Sequence, residues 1–490
     1  MKVFHKPRHR AGRVRRWARR ICLLIVALLV YVFVAAYAPF ARCPELSDEL
    51  AARVEARAEE MGRDIDTADR GMILETRAEA LDERIRLLSR AQSEIVITTF
   101  NCHDGESIRD MLCVALERAD AGVRVRMLVD GVDGWLKLSA APVFRAMEAH
   151  PNVEIRFYNP PTLLTPWKVM GRMHDKYVIV DDVAYILGGR NMLDNFLGDY
   201  PVEVPKDDRE ALIYNAACGT PEGEASSLYQ LKDYFEAIWS SDAVAGFLGE
   251  DLVEPHREDV YADLRQRLEA LKAQRPELFT DALDYAQRTV PTKGIWLISN
   301  PTNVSAKQPV AFAQLCALMD RAEQSVVIHS PYAVLNGYMR DRLAAVAERV
   351  PMTLMVNAPE NSANIAGTGD YVYHRDDVLS TGAALLEYAG GNYHHGKALA
   401  IDDDISIIGC FNLDLRSAYV DTELMLVVRG EEINAWLRRN MDALHADCRR
   451  VIDADTSEVP EGLEIPPMST GRKIALRVVG ALMQLFRNIV

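Results

Sequence analysis

The chain has 490 residues, 49% hydrophobic and 26% charged, so it is long enough for two core-forming units and ordinary in composition for a globular protein. Ten of its 56 Lys and Arg lie in residues 1–44, which contain no acid, so the remaining 46 oppose 71 Asp and Glu. This acidic body is a poor match for nucleic acid, whose binding depends on basic side chains that neutralise phosphate. No nucleic-acid partner is therefore expected, and a nuclease with a local basic groove stays as an alternative.

The amino-terminal segment joins a basic stretch to an apolar one. Nine Lys and Arg precede residues 21–40, a run of 20 residues without a charge. A helix of that length spans about 30 Å, the thickness of the hydrocarbon core of a bilayer. Residues 1–44 are therefore predicted to form a basic terminus and a single transmembrane anchor. The basic residues favour a cytoplasmic amino terminus, which places the body outside the cytoplasm at the cell membrane.

Two observations leave the topology open. Ala36-Tyr37-Ala38 resembles a signal-peptide cleavage site, although Pro39 and the length of the apolar run favour an uncleaved anchor. The eight cysteines show no metal-like spacing, and the seven that lie beyond the apolar run are an odd number. That count does not suggest a disulfide framework, which is in mild tension with an extracytoplasmic body.

The body of the chain alternates helical and strand-like segments. Residues 47–91 are rich in Ala, Glu, Arg and Leu and predict a helical lead-in. Strand-like runs follow at 93–100, 123–131 and 153–160, with helical segments between them. The second half of the chain repeats this order. Such alternation predicts an α/β layered fold with mainly parallel sheets.

These patterns divide the chain into five predicted parts. They are the basic terminus and anchor at 1–44, the helical lead-in and first repeat at 45–255, a connector at 256–300, the second repeat at 301–455, and a tail at 456–490. The tail contains a basic amphipathic helix, which either lies on the membrane surface or packs on the body. The apolar loop at 159–171 either dips into the headgroup region or is buried on the domain.

One motif occurs twice, as "RMHDKYVIVDDVAYILGGRNMLD" at 172–194 and as "YHHGKALAIDDDISIIGCFNLDLRS" at 393–417. Identical residue types kept in register over such a distance indicate an internal duplication. Five residues of the first copy recur 221 positions later: His174 and His395, Lys176 and Lys397, Asp181 and Asp402, Gly188 and Gly409, and Asn191 and Asn412.

The duplicated residues suit the chemistry of a phosphodiester. Residues two apart on a strand project from the same face, so each histidine projects with a lysine. If the halves pack about a pseudo-twofold axis, both pairs converge in one pocket with Asn191 and Asn412. The lysines and asparagines then bind the non-bridging oxygens, one neutral imidazole attacks phosphorus, and the other, protonated, assists the departing alkoxide. Because the lysines supply cationic charge, no metal or other cofactor is expected.

These motifs carry a resemblance to a known family. The pattern H-x-K-x4-D followed by a G-G/S-x-N element, present twice, resembles the phospholipase D superfamily. More narrowly, "GRMHDKYVIVDDVAYILGGRN", "SPY" at 330–332 and "FNLDLRSAYVDTE" at 411–423 are similar to bacterial cardiolipin synthases of the phospholipase D type. The likeness runs over most of residues 75–450. It implies two phospholipase D-like α/β/α repeats packed about a pseudo-twofold axis, after the amino-terminal helix.

The resemblance also implies roles for single residues. His174 would be the nucleophile and His395 the general acid, while Glu423 would orient a histidine. Asp181 and Asp402, counted among the catalytic motif residues, would have structural, ion-pairing roles.

The second motif departs from the family at two positions. Cys410 stands where the family usually has Ser, and Asp421 stands where Asn is common. Neither residue belongs to the predicted phosphate-binding set. The second departure leaves open how Glu423 is held.

The sequence therefore predicts a membrane-anchored phosphatidyltransferase that makes cardiolipin from phosphatidylglycerol and a second phospholipid through a phosphohistidine. A hydrolytic phospholipase D that releases phosphatidic acid is the main alternative, because the same residues serve both reactions. A silent, membrane-tethered interaction protein is disfavoured because both motifs are complete. The predicted partners are phospholipids, with phosphatidylglycerol foremost, and the membrane.

Overall fold

The structure is a computed structural model that describes residues 8–247, 256–280, 284–453 and 456–490. Residues 1–7 of the predicted basic terminus and the predicted boundary at 255 lie outside the described residues. The first helix is α1 (Arg8–Tyr37), which continues into a short 3-10 turn at Ala38–Phe40. By length and composition, Arg15–Phe40 is apolar enough to cross a membrane, the one such helix among the described residues.

The first repeat contains nine strands, eight of which belong to one large sheet, and helices pack on that sheet. Its strands are β1 (Asp69–Leu74), β2 (Glu94–Thr99), β3 (Arg124–Asp130), β4 (Val153–Tyr158), β5 (Tyr177–Val180), β6 (Ala184–Gly188), β7 (Lys206–Asp207), β8 (Glu210–Asn215) and β9 (Val244–Gly246). The helices before and within it are α2 (Asp48–Met61), α3 (Arg77–Ser89), α4 (Glu106–Asp120), α5 (Gly131–Asp133), α6 (Pro142–Glu148) and α7 (Ser227–Trp239).

The second repeat follows α8 (Arg257–Gln274), α9 (Tyr285–Arg288) and β10 (Val290–Pro291). Its strands are β11 (Gly294–Ser299), β12 (Val326–His329), β13 (Met352–Asn357), β14 (Ala384–Tyr388), β15 (Tyr393–His394), β16 (Lys397–Ile401), β17 (Ile405–Gly409), β18 (Leu424–Arg429), β19 (Cys448–Val451) and β20 (Ser457–Glu458). Its helices are α10 (Val310–Met319), α11 (Gly337–Ala347), α12 (Ile365–Tyr373), α13 (Arg375–Leu379), α14 (Leu415–Tyr419), α15 (Glu431–His445) and α16 (Thr470–Met483).

The two sheets have equivalent strand orders, which confirms the duplicated α/β fold. The first runs β10-β1-β8-β6-β5-β2-β3-β4-β9 and the second runs β11-β18-β17-β16-β12-β13-β14-β19-β20. Strand β5 of the first motif occupies the place that β16 occupies in the second. Parallel pairing within these sheets is confined to β2-β3-β4 and β12-β13-β14, and the other pairings are antiparallel. The sheets are therefore mixed: each has three parallel strands beside its motif strand, and antiparallel pairings outnumber the parallel ones.

Two boundaries predicted from sequence need correction. The helical lead-in at 47–91 contains β1 between α2 and α3, because its short apolar run pairs with β8 and is buried. Thr76 starts α3 afresh with a capping box, in which its hydroxyl accepts from Glu79 N and the Glu79 carboxylate accepts from Thr76 N. The connector at 256–300 ends too late, since β11 is already the edge strand of the second sheet.

The apolar strands are buried on both faces, which places the two sheets against each other. In β5, Val178 and Val180 face the helices of their own repeat, whereas Tyr177 and Ile179 belong to a core shared with the second sheet. Strand β16 behaves alike, with Ala400 in the shared core. Alternate residues of a strand point to opposite faces, so a continuous apolar run fits a strand covered on both sides.

The tail helix α16 packs on the second repeat. Leu476 and Gly480 of α16 are buried, and Gly480 lies against Gly369 of α12, where an added Cβ would be 2.4 Å from the Gly369 carbonyl oxygen. The opposite face remains exposed. The helix is thus both packed on the body and amphipathic. All eight cysteines, each among the described residues, are free thiols.

Candidate active site

The two motif histidines lie where the two repeats meet. His174 precedes β5, and its neighbour Met173 forms a bridge to Thr422 of the second repeat. His395 precedes β16, and the backbone N–H of His395 donates to the carbonyl of Asp207 in the first repeat at 2.6 Å. Each histidine segment is therefore held in place by the repeat to which it does not belong.

Each imidazole is bonded to a carboxylate across this junction. Nδ1 of His174 lies 2.9 Å from Oε1 of Glu423, and Nδ1 of His395 lies 2.6 Å from Oδ2 of Asp208. Both carboxylates are fully buried. A carboxylate on Nδ1 fixes the orientation and tautomer of the ring, so Nε2 is the nitrogen that remains for chemistry. The role of Glu423 as an orienting residue agrees with this geometry.

Asp208 is a functional residue that was not predicted from the sequence. The equivalent glycines Gly188 and Gly409 pair with Glu210 and Met425 on the neighbouring strands. Asp208 and Glu423 each lie two positions before these partners. The two carboxylates are therefore structurally equivalent. Asp208 lies 17 residues after Asn191, whereas Glu423 lies only 11 after its asparagine. The longer loop in the first repeat hides the equivalence. An alignment of the two repeats by strand pairing, started at the two motif glycines, would have identified Asp208 as the equivalent of Glu423.

A glycine makes room for the Asp208 carboxylate. A Cβ added at Gly189 would lie 2.5 Å from Oδ1 of Asp208. At the equivalent position of the second repeat stands Cys410, whose sulfur accepts from the backbone N–H of Leu424 at 3.1 Å. The second repeat thus has a side chain where the first has space, and the two halves of the site are not chemically identical.

Burial keeps both imidazoles neutral in the ligand-free site. It lowers the pKa of His174 well below the ordinary value, and Lys176 and Lys397 lower it further. Burial likewise lowers the pKa of His395 to about 3, with Lys397 adding to the effect and Asp208 opposing it. A neutral imidazole with a free Nε2 is a competent nucleophile.

The pKa values of the two carboxylates are shifted in opposite directions. Burial raises the pKa of Glu423 well above the ordinary range, and the opposing effect of Lys176 does not restore it. Burial acts in the same direction on Asp208, but Lys397 and His395 outweigh it and hold the pKa of Asp208 far below the ordinary value. Asp208 is therefore held as an anion, whereas the pKa of Glu423 is shifted in the opposite direction.

The two lysines are buried beside their histidines. Nζ of Lys176 donates to the carbonyl of His174, and Nζ of Lys397 donates to the carbonyl of His395 and lies 2.9 Å from Nε2 of that ring. Burial lowers the pKa of Lys176 and lowers the pKa of Lys397 to about 7. Each lysine also influences the titration of the histidine in the other repeat, so the four groups share one electrostatic site.

The motif aspartates lie away from this site, which corrects their inclusion among catalytic residues. Asp181 and Asp402 follow the far ends of β5 and β16 and both have positive φ, at 51° and 47°. Asp181 accepts from the backbone N–H groups of residues 92, 93 and 94 at 2.7–2.8 Å, and Asp402 accepts from those of residues 323, 324 and 325 at 2.7–3.0 Å. The partners of these carboxylates are backbone amides and, for Asp181, also the Ser93 hydroxyl, which agrees with a structural role.

Two unpredicted aromatic rings contact the histidines, and the two motif asparagines are buried. Asn191 accepts from the backbone N–H of residue 101 at 3.2 Å, and Asn412 donates its backbone N–H to the Ser417 hydroxyl at 3.2 Å. The ring of Phe100 contacts the imidazole of His174 edge-on, with 4.9 Å between the ring centroids, and the ring of Phe196 contacts His395 in the same way at 5.0 Å. No sequence signal marked either phenylalanine, because neither belongs to the repeated motif.

Ser417 holds the Glu423 carboxylate in place through a hydrogen bond. Its hydroxyl donates to Oε1 of Glu423 at 2.6 Å, so one serine links Glu423 to the backbone of Asn412. Asp421 has a different role, since it accepts from Arg416 at 2.8 Å and from the backbone N–H of Arg172 at 3.3 Å. Asp421, which stands where the family commonly has Asn, therefore bonds the two repeats together and does not loosen Glu423.

One group of ligand-type side chains overlaps the site. Ligand atoms of His174, Cys410 and Glu423 lie within 4.8 Å of one another, and all three residues are buried. A His/Cys/Glu set matches the preferences of zinc. The imidazole nitrogen that faces this group is Nδ1, which lies 2.9 Å from Glu423, and not the Nε2 that is predicted to attack phosphorus.

Comparison with protein families matches residues 85–204 and 315–445 to the family described as "Cardiolipin synthase, PLD-like domain". The two matched stretches hold one copy of the histidine motif each and together cover about half of the chain. The chain belongs to this family. The resemblance to the phospholipase D superfamily is thereby confirmed.

Curated relatives of the family are distant in sequence. Cardiolipin synthase C of Escherichia coli is 25% identical over 414 residues, covering 74% of this chain and 81% of that protein. Cardiolipin synthase A of Pseudomonas fluorescens is 24% identical over 387 residues, covering 78% and 68%. Among solved structures, phosphatidylserine synthase of Haemophilus influenzae superposes with a TM-score of 0.61 at 16% identity, covering 89% of this chain and all of that one. At that identity the likeness shows the fold alone.

Proposed function

We propose that the protein is a membrane-anchored phosphatidyltransferase that makes cardiolipin from phosphatidylglycerol and a second phospholipid. The observation that carries the proposal is the pair of imidazoles bonded through Nδ1 to carboxylates of the opposite repeat. The names of the relatives in E. coli and P. fluorescens support a phospholipid synthase. The finer choice of cardiolipin rests on the same curated relatives.

The first half-reaction forms a phosphohistidine on His174. Nε2 of the neutral imidazole attacks the phosphorus of the donor lipid, and the bond to the leaving glycerol or headgroup oxygen breaks. Lys176, Lys397, Asn191 and Asn412 are proposed to bind the non-bridging oxygens as negative charge builds. His395 gives its proton to the departing alkoxide. The bound phosphodiester anion raises the pKa of His395 above its ligand-free value, because an adjacent negative charge favours the imidazolium.

The second half-reaction reverses these roles. The free glycerol hydroxyl of phosphatidylglycerol gives its proton to His395, and its oxygen attacks the phosphorus. The bond between phosphorus and Nε2 of His174 breaks, so the neutral imidazole returns. Asp208 remains an anion throughout and stabilises the imidazolium of His395, as its position on Nδ1 allows.

The anchor accounts for the choice of acceptor in this proposal. Helix α1 would hold the site at the membrane surface, where a lipid alcohol competes with water. The amino terminus would be cytoplasmic and the body extracytoplasmic, since nine Lys and Arg precede the apolar run. Protease accessibility in intact and permeabilised cells tests this topology. Digestion of the body before permeabilisation is the expected result.

The experiment that tests the activity uses purified full-length protein in detergent–phospholipid vesicles with a chelator. Conversion of phosphatidylglycerol to cardiolipin is expected at the same rate with and without the chelator. His174→Ala should abolish the conversion, because no other described group replaces its Nε2. A 32P-labelled donor should leave label on the wild-type chain and not on the His174→Ala chain.

The other outcomes identify the alternatives. Release of phosphatidic acid without cardiolipin would make the protein a hydrolytic phospholipase D. Inertness toward lipid with cleavage of DNA would make it a nuclease. A rate that falls in chelator and returns with zinc would show that a metal serves the reaction and would overturn the metal-free mechanism.

A further inference from the structure

Large exposed apolar side chains gather next to α1. Beyond α1 itself, five of them lie on two loops of the first repeat, and their side chains are 43–84% exposed. These five residues, here called the apolar rim, are Trp135, Leu136, Leu163, Leu164 and Trp167. Single exposed apolar residues are normal on a protein surface, but a cluster marks a contact with another apolar phase.

The rim is held in an exposed position by its own backbone. Asn159 is buried, has a φ of 51° and donates through Nδ2 to the carbonyls of Lys168 and Gly171, both at 2.7 Å. These bonds tie the two arms of the loop that carries Leu163 and Leu164. Because the loop is closed at its base, its leucines cannot fold back into a core.

The two loops of the rim adjoin each other. A Cβ at Gly131, which begins the segment leading to Trp135, would lie 2.4 Å from the backbone nitrogen of Pro160. Lys137, in the same turn as Trp135, donates to the side chain of Asn101 at 3.0 Å, and Asn101 donates its N–H to Asn191. The first loop is thus bonded to a residue of the proposed phosphate-binding set.

The second loop leads from α1 to His174. Residues Pro166–Lys168 contact α1. Four residues before His174, the carbonyl of Met170 accepts from Arg416 at 2.8 Å, and Arg416 also pairs with Asp421 beside the site. The exposed leucines, the end of α1 and His174 are therefore joined by one short stretch of chain.

A second exposed patch lies at the same end of α1. Ile474, Val478 and Leu482 of α16 are exposed, as are Leu485 just after it and Lys473 and Arg477 beside them. The ring of Phe486 meets Phe33 and Tyr37 of α1 edge-on at 5.1 and 5.4 Å. An apolar face flanked by basic side chains, next to a candidate spanning helix, matches the surface of a bilayer that contains anionic lipid.

We propose that the apolar rim inserts into the headgroup region of the bilayer that α1 enters and admits the phospholipid to the His174 side of the site. The proposal rests on the proposed function, since it concerns how that substrate reaches the reactive histidine. The partner of the apolar rim is a lipid surface. Tryptophan favours the membrane–water interface and leucine favours the apolar layer beyond it. Lys137 and Lys168 lie beside them and can reach the lipid headgroups.

The test compares one enzyme on lipid in two physical states. Full-length protein and the Leu163→Ser/Leu164→Ser double variant are assayed on long-chain phosphatidylglycerol in vesicles and on dihexanoyl-phosphatidylglycerol below its micelle concentration. The double variant should lose at least tenfold in rate on vesicles and less than twofold on the monomeric lipid. The matched control, Ile452→Ser/Val459→Ser, removes two exposed apolar residues at the β19–β20 edge of the second sheet and should stay within twofold on both.

A second readout needs no turnover. Brominated lipid should quench the tryptophan fluorescence of the wild-type protein, and Trp135→Phe/Trp167→Phe should remove a measurable part of that quenching. Three results would each overturn the rim proposal. The leucine variant could match the wild-type rate on vesicles, it could lose equal activity on both lipids, or the tryptophan variant could show unchanged quenching. A wild-type protein that turns over neither lipid but is quenched through Trp135 and Trp167 would instead overturn the proposed function and support the rim.

Discussion

At the scale of the residue, the two halves of the site are alike in geometry and different in electrostatics. Both imidazoles have a buried carboxylate on Nδ1, yet the pKa of Asp208 is lowered and the pKa of Glu423 is raised. The difference arises because Lys397 and His395 overcome the burial of Asp208, whereas Lys176 does not overcome the burial of Glu423. The half with the ionised carboxylate is suited to stabilise an imidazolium, as a general acid requires.

This difference predicts unequal effects of two isosteric substitutions. Asp208→Asn removes a charge that faces buried Lys397, so it should destabilise the fold at pH 6 by about 3 kcal/mol, as expected when one partner of a buried pair is lost. Glu423→Gln replaces a group whose pKa burial already raises, so it should cost about 1 kcal/mol, comparable to one altered hydrogen bond. Urea unfolding of both variants measures the two costs.

The activities of the same variants give an independent check. Asp208→Asn should lower kcat by at least 100-fold, because His395 loses the anion that stabilises its protonated form. Gly189→Ala should lower kcat in the same direction without removing any reacting group, since its Cβ would displace the Asp208 carboxylate. A Glu423→Gln variant less stable than Asp208→Asn would contradict the assignment of charge.

At the scale of the element, close backbone contact decides where the tail helix sits. The packing of α16 on α12 brings Gly480 and Gly369 together, with backbone atoms where any side chain would stand. Arg487, just after α16, then pairs with buried Asp370 of α12 at 2.9 Å. The helix is therefore fixed on one face, and its opposite face is left exposed.

We predict that Gly480→Val releases α16 from the body. Its Cβ would approach the Gly369 carbonyl oxygen to 2.4 Å, which a rigid helix pair cannot accommodate without separating. Limited proteolysis should cut the tail at least tenfold faster than in the wild-type protein. Gly471→Ala is the control on the same helix, because a Cβ there meets nothing within 4 Å. Equal cleavage of the two variants would contradict the packing.

At the scale of the whole molecule, the site exists only because the repeats face each other. The sheets share one apolar core, and each histidine segment is pinned by a backbone bond from the opposite repeat. Burying two lysines and two histidines in this junction depresses their pKa values. Stability and activity are therefore coupled to pH in opposite directions.

This coupling predicts a pH dependence centred on Lys397. Its pKa of about 7 in the folded protein lies below the ordinary value near 10.4. Between these values the unfolded chain binds a proton that the native state does not, so the contribution of Lys397 to stability rises with pH from about 7 to 10. Over the same range kcat/KM should fall about tenfold per pH unit, because the ammonium that binds phosphate is lost.

The measurement is the pH profile of kcat/KM beside the pH profile of unfolding. Lys397→Met isolates the group: the difference in unfolding free energy between wild type and variant should change across pH 7–10 in favour of the wild type. A kcat/KM that stays flat to pH 9, or a difference in unfolding free energy that does not move with pH, would contradict the depressed pKa.

The repeated motif by itself determined much about this protein. The in-register recurrence of His174 at His395 indicated two equivalent α/β units, and residue type alone indicated phosphodiester chemistry. These inferences succeed because the strand-embedded motif is local, and local patterns carry over from sequence to structure. Glu423 was accessible only through the resemblance, since no spacing ties it to His174.

Tertiary structure alone decided the pairing of charges. Asp208 meets His395 across 187 residues and Glu423 meets His174 across 249, contacts that no local pattern encodes. The same holds for the edge-on rings of Phe100 and Phe196, for β1 inside an apparently helical stretch, and for the rim beside α1. The amino-acid sequence determines which groups are present and which face of a strand they take. Only the packing of one sheet on the other sets their burial, and burial sets their protonation.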